Sequence, residues 1–165
     1  REHFRFPVVE YYKHLGFDFE TVPFVKVADE FMELYRRNVC DASLHIGAEI
    51  LLRDLKALGK IQSILSAAGE ADLKKQLIRL EIEPYFDFVY GIADHYATSK
   101  IERGHELMRR LNTSAKNIIM IGDTDHDIEV AEILGIELLL LADGHQHYDR
   151  LKDKHTQVLK TRRQR

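Results

Sequence analysis

Three carboxylates, Asp123, Asp125 and Asp127, alternate where the run IIMIGDTDHDIEVAEILG passes from apolar residues through Gly122 into an amphipathic stretch. Acids this close repel one another, and a bound cation offsets that repulsion economically. Magnesium takes one or two carboxylates at roughly 2.0–2.1 Å together with waters and a substrate phosphate, so a sparse acidic turn suits it. Calcium in an EF-hand loop does not fit: Ile128 stands where that loop needs glycine and Leu134 where it needs glutamate. The competing use is structural, because Asp and Thr favour helix starts and Asp123, Thr124 and Asp125 could simply cap the next helix. Three acids within five residues, placed directly after a buried strand, favour the metal site.

The surrounding pattern supplies such a strand and helix. From Gly47 onward, helical and strand-like segments alternate: AEILLRDLKALG, Ile61 to Leu65 ending in Ser66, EADLKKQLIRLE, Phe86 to Tyr90, KIERGHELMRRL, NIIMI, a helix beginning at Asp127, and ELLLL before a polar loop. Alternation of this kind predicts βαβ crossovers and a parallel sheet covered on both faces, with the ligand site beyond the carboxyl ends of the strands. Residues 1–45 read differently. Val8, Val9, Tyr12 and Leu15 keep helical spacing up to Gly16, and Phe24, Val27, Ala28, Phe31, Met32, Leu34 and Tyr35 keep it again after a loop at Asp18 to Pro23. The organisation expected is therefore a helical subdomain over 1–45 and an α/β core over 46–165.

Composition narrows the function classes. With 165 residues, 45% of them hydrophobic and 31% charged, the chain has enough apolar material for a core without disulfides. A net charge of −3 with interspersed signs argues against a nucleic-acid binder, and the basic tail Lys160, Arg162, Arg163 and Arg165 reads as a solvated terminus. No apolar run approaches the roughly 20 residues that span a bilayer, and the stretch REHFRFPVVEYY holds no signal-peptide h-region. The lone cysteine, Cys40, makes the cytoplasm the expected compartment.

The GDxxxD arrangement of Gly122, Asp123 and Asp127 resembles the fourth motif of the haloacid dehalogenase superfamily. Ser66, closing IQSILS, is similar to the second motif, with Ser63 as a competing position, and Lys100 in YATSKIERG is similar to the third. The separations, 34 residues from Ser66 to Lys100 and 23 from Lys100 to Asp123, suit that family. LGFDFETVPFVKVADEFMELYRR followed by HIGAEILLRDLKALGK resembles the helical cap, and the return into the core, of phosphoglycolate phosphatase-like members. The resemblance implies a Rossmann-like parallel sheet with a small helical cap, a small phosphorylated metabolite as substrate, and magnesium held by Asp123 and Asp127. It implies Ser66, Lys100 and Asp127 as catalytic residues, with Ser66, Ala67, Lys100 and His126 against the substrate. His45, His95, His145 and His147 also fall in or near loops, without a metal-ligand spacing.

The same resemblance calls for an aspartate nucleophile, followed two residues later by an acid/base aspartate, at the end of a first, central strand. Asp18-Phe19-Glu20 imitates it, but Lys13, His14 and Gly16 precede it as the end of a polar helix, so a loop between cap helices is expected there. Because the chain opens on Arg1, the nucleophile and first strand are expected upstream in a longer polypeptide, and this chain should show two half-sheets. A non-catalytic binding protein and a phosphomutase are the alternatives.

Overall fold

The computed structural model describes residues 8–38, 42–92, 99–142 and 144–160; Cys40, His95, Arg162, Arg163 and Arg165 lie outside them. In chain order the elements are α1 (Val8–His14), α2 (Phe24–Asn38), α3 (Ala48–Ala57), β1 (Ser63–Gly69), α4 (Glu70–Arg79), β2 (Phe88–Ile92), α5 (Lys100–Leu111), β3 (Ile119–Gly122), α6 (Asp125–Leu134), β4 (Glu137–Leu141), α7 (Tyr148–Lys152) and β5 (Val158–Leu159). Among the described residues every strand pairing is parallel, and the strands form two sheets, β1-β2 and β3-β4-β5. The α/β alternation with parallel pairing is the one the sequence anticipates. Among the described residues no helix is long and apolar enough to cross a membrane.

Two compact units result, one from the described residues up to Met32 together with those from Thr113 onward, the other from Glu33–Asn112. The division between them falls inside a helix. It cuts through α2, whose last turns are tied to α4: Arg36 Nε lies 3.2 Å from Asp72 Oδ2, and the Tyr35 hydroxyl accepts from Gln76 Nε2 at 3.2 Å.

In the Glu33–Asn112 unit, α4 crosses from β1 to β2 and buries Leu73 and Leu77 beside Ile82, with Ile64, Phe86 and Val89 packed against them. The strand β1 starts later than the apolar run from Ile61 suggests. Ile61 is 63% exposed, whereas Gln62 is buried. The Gln62 amide donates to the Leu52 and Tyr85 carbonyls at 2.9 and 3.1 Å, and its backbone N–H donates to Asp87 Oδ2 at 2.9 Å. A buried polar side chain is tolerated where its donors are met, so Gln62 staples the strand entry. Bonds from Gln62 and Lys56 hold the Asp87 carboxyl below its ordinary pKa.

In the other unit, α6 and α7 are the crossovers between β3, β4 and β5, and the core is Ile128, Ala131, Leu138, Leu140 and Leu151. The α1–α2 hairpin closes on Tyr12, whose ring centroid lies 5.5 Å from that of Phe17 and 6.1 Å from that of Phe24. Sequence pattern misses α7 and β5. They span 5 and 2 residues, too short for a periodicity to show.

Candidate active site

The turn between β3 and α6 is built around Asp127. Thr124 is the N-cap of α6, so this helix begins at Asp125, two residues ahead of the start expected from the sequence. A reciprocal capping box joins Thr124 to Asp127 at the third helical position. Asp127 Oδ2 accepts from the Asp123 N–H at 3.0 Å, the Thr124 N–H at 3.0 Å and the Thr124 hydroxyl at 2.9 Å. The residue is 3% exposed. Gly122 makes room for it, since a Cβ there would stand 2.6 Å from the Asp127 carboxylate carbon.

Asp123 leaves the same turn in another direction. Its side chain is 36% exposed, at the carboxyl end of β3. Its Oδ2 accepts from the His145 N–H at 2.8 Å and lies 3.0 Å from His145 Nδ1. Gly144 lies directly beneath, where a Cβ would fall 1.7 Å from that oxygen. His126, expected against the substrate, turns its Nδ1 to Glu129 Oε2 at 2.9 Å.

Asp125 faces a set of partners that the sequence reading did not single out. Gln146 Nε2 donates to Asp125 Oδ1 at 2.6 Å while Gln146 Oε1 accepts the Asp125 N–H at 2.8 Å. Arg150 and Lys154 donate to Asp125 Oδ2 at 2.6 and 2.7 Å. Burial alone would raise the Asp125 pKa; the bonds from Lys154, Gln146 and Arg150 outweigh it and hold the carboxyl well below the ordinary carboxylate range. One sequence signal was available: Gln146, Arg150 and Lys154 recur every four residues, the spacing of one helix face.

Ser66, Ala67 and Lys100 belong to the other unit. Regular β1–β2 pairing runs from Ser63 opposite Phe88 to Leu65 opposite Tyr90 and resumes at Gly69 opposite Ile92. Ser66 is therefore the first residue of an irregular stretch, and its Oγ accepts the Ala68 N–H at 3.1 Å. Ala67 is exposed. Lys100 opens α5 behind the N-cap Ser99, which shares a capping box with Glu102, and α5 packs on both β1 and β2.

Arg103, one turn further, holds that corner together. It donates to the Gly91 carbonyl at 2.8 Å, pairs with Glu70 and Glu106, and lies 4.6 Å from the Tyr90 ring centroid. Sequence spacing does not mark Arg103. Among the described residues no three His, Cys, Asp or Glu side chains converge as a metal cage.

The sequence model of haloacid dehalogenase-like hydrolases matches residues 1–141. The chain is 25% identical over 118 residues to the tyrosine-protein kinase PtkA of Mycobacterium tuberculosis (strain H37Rv), covering 71% of this chain and 40% of that protein. It is 33% identical over 107 residues to the "Probable phosphatase IndB" of Dickeya dadantii, covering 64% and 46%. The chain thus spans less than half the length of these curated relatives. In fold it is similar to a predicted phosphatase from Clostridium acetobutylicum, with a TM-score of 0.79 at 22% identity over 93% of this chain and 71% of that one.

Proposed function

Because the chain belongs to the haloacid dehalogenase-like hydrolase family, we propose that the protein containing it is a magnesium-dependent phosphatase acting on small phosphomonoesters. The observation that carries this reading is the position of Asp123, presented at the carboxyl end of a parallel strand by a turn that Asp127 braces from below. Ligands of open α/β sheets bind at such strand ends. The donor set fits magnesium: Asp123 offers a hard carboxylate oxygen, and the Asp127 oxygen that braces the turn fixes where it stands. When bound, the ion supplies positive charge that lets an anionic phosphate approach an anionic nucleophile.

The Ser66 hydroxyl and the Lys100 ammonium serve the phosphoryl oxygens, with Ala67 lining the substrate beside them. Both act as donors to charge that grows during transfer. His126 is the substrate contact in this reading, its ring oriented by the contact of Nδ1 with Glu129.

Asp18 is unsuited to be the nucleophile. It sits between α1 and α2, with its Oδ1 accepting the Glu20 N–H at 3.0 Å and its carbonyl accepting from Thr21. An aspartate ahead of this chain takes that role in our reading, forming an aspartyl phosphate that water hydrolyses. Among the described residues nothing pairs with the outer edge of β3, where Ile119 and Ile121 are exposed, and this supports a further strand there.

In the longer protein, Asp123→Ala should abolish magnesium-dependent hydrolysis of para-nitrophenyl phosphate; unchanged turnover refutes the role of Asp123. PtkA is named a tyrosine kinase, so the same preparation is offered ATP and a tyrosine peptide. Transfer to the peptide in place of hydrolysis would overturn the phosphatase reading.

A further inference from the structure

Two neighbouring residues of one segment grip two acids of the β3–α6 turn. The His145 N–H and ring nitrogen meet Asp123 Oδ2, and the Gln146 amide meets both the backbone and the carboxylate of Asp125. Gln146 is 0% exposed, and its orientation is determined by its partners. The oxygen must face the Asp125 N–H and the nitrogen must face Asp125 Oδ1, because the reverse would set donor against donor and acceptor against acceptor. Arg150 and Lys154 also hold Asp125, but they do so from α7 and the residues beyond it. Gln146 is joined to His145 by one peptide bond, so its hold on Asp125 fixes the backbone N–H that points at Asp123. The space beneath leaves little freedom, since Gly144 closes against the same Asp123 oxygen.

We propose that Gln146 and Asp125 are positioning residues: their two-point lock seats the Gly144–Gln146 segment against the β3–α6 turn and thereby sets the direction of the Asp123 carboxylate. This rests on the reading of Asp123 given above only for what the carboxylate binds. The lock itself is a property of the fold. Asp127 holds the turn from inside, and the lock holds it from outside.

The test compares Gln146→Leu, which removes both bonds, with Arg150→Met, which removes one ion pair to Asp125 Oδ2 and leaves both Gln146 bonds in place. Lys154→Met removes one ion pair and leaves the lock intact. Amide hydrogen exchange of His145, followed by NMR without metal, should accelerate by about 10-fold or more in Gln146→Leu and change little in the other two. The magnesium concentration giving half the maximal thermal stabilisation should rise by roughly 10- to 100-fold in Gln146→Leu, the range seen when residues supporting metal ligands are removed.

If Gln146→Leu does not fold, Gln146→Glu is measured the same way, because it matches the size of glutamine but sets an oxygen against Asp125 Oδ1. A folded Gln146 variant with native His145 protection overturns the proposal. So does equal acceleration in Lys154→Met, which would mean that any loosening of Asp125 frees the segment. Should the unsubstituted protein show no response to magnesium, the proposed function fails, and the exchange measurement decides the lock by itself.

Discussion

Replacing Asp127 by alanine removes three hydrogen bonds from one carboxylate oxygen and leaves the Asp123 and Thr124 N–H groups without that acceptor. Bonds to a charged acceptor are worth about 1.5–3 kcal/mol each. They are not independent here, since all three end on one atom and two come from Thr124. Taking one such bond in full and a helix-cap loss of about 0.5–2 kcal/mol gives a destabilisation of roughly 2–5 kcal/mol. Little discount for solvent applies, because Asp127 is buried. With a urea slope of about 2 kcal/mol/M, the midpoint should fall by roughly 1–2.5 M at unchanged slope. Far-UV circular dichroism is the suitable probe, as the chain has no tryptophan. Asp127→Asn, which can place its amide oxygen where Oδ2 stands, should lose about 1 kcal/mol, the difference between charged and neutral acceptors. An alanine variant within about 0.5 kcal/mol of the parent, the scale of an ordinary surface substitution, would refute the account of how this turn is held.

Gly144→Ala should separate position from stability. Its Cβ would overlap Asp123 Oδ2, so the carboxylate must move, and phosphatase kcat should fall by about 100-fold, the effect of a misplacement near 1 Å, while the thermal midpoint changes little. Native kcat would show that Asp123 tolerates displacement. The Asp125 carboxyl is held below its ordinary pKa, so the stability it confers is fully present above the unfolded value of about 3.9 and is lost as pH falls through and below it. The stability gap between the parent and Asp125→Asn, measured by urea denaturation, should be flat from about pH 5 to 8 and narrow below about pH 4. A gap that persists undiminished under acid conditions would mean that the charge of Asp125 does not support the fold.

The long elements were legible because their apolar residues repeat over two or more turns. KIERGHELMRRL gives α5 at both ends, and the strand–turn–helix around Asp123 lies where the sequence sets it. Boundaries shift where a polar residue is buried by bonds that no periodicity registers. Gln62 delays β1 by holding Leu52, Tyr85 and Asp87, and the Thr124–Asp127 capping box brings α6 forward to Asp125. Ser66 was legible as a strand-end residue, yet it lies within β1; what marks it in space is the break in register after Leu65. Arg103 and Gln146 were missed for a common reason. Their work is pairing across 33 and 21 positions, with Glu70 and with Asp125 respectively, and neither partner follows from local spacing.

In the sequence, the three acids of the turn look equivalent, and their mutual repulsion is the argument for a cation. The structure distributes that charge differently. Asp125 meets the cations Arg150 and Lys154, and Asp127 meets two backbone N–H groups and a hydroxyl. Two of the three charges are thus offset by the protein itself. Crowding of acids therefore no longer argues for a metal; the position of Asp123 does. It is the acid the turn presents at the strand end, partly exposed and seated against Gly144 and His145. Its neighbours are then part of the apparatus that aims it, and a substitution at Asp125 or Asp127 should be read first through the geometry of Asp123.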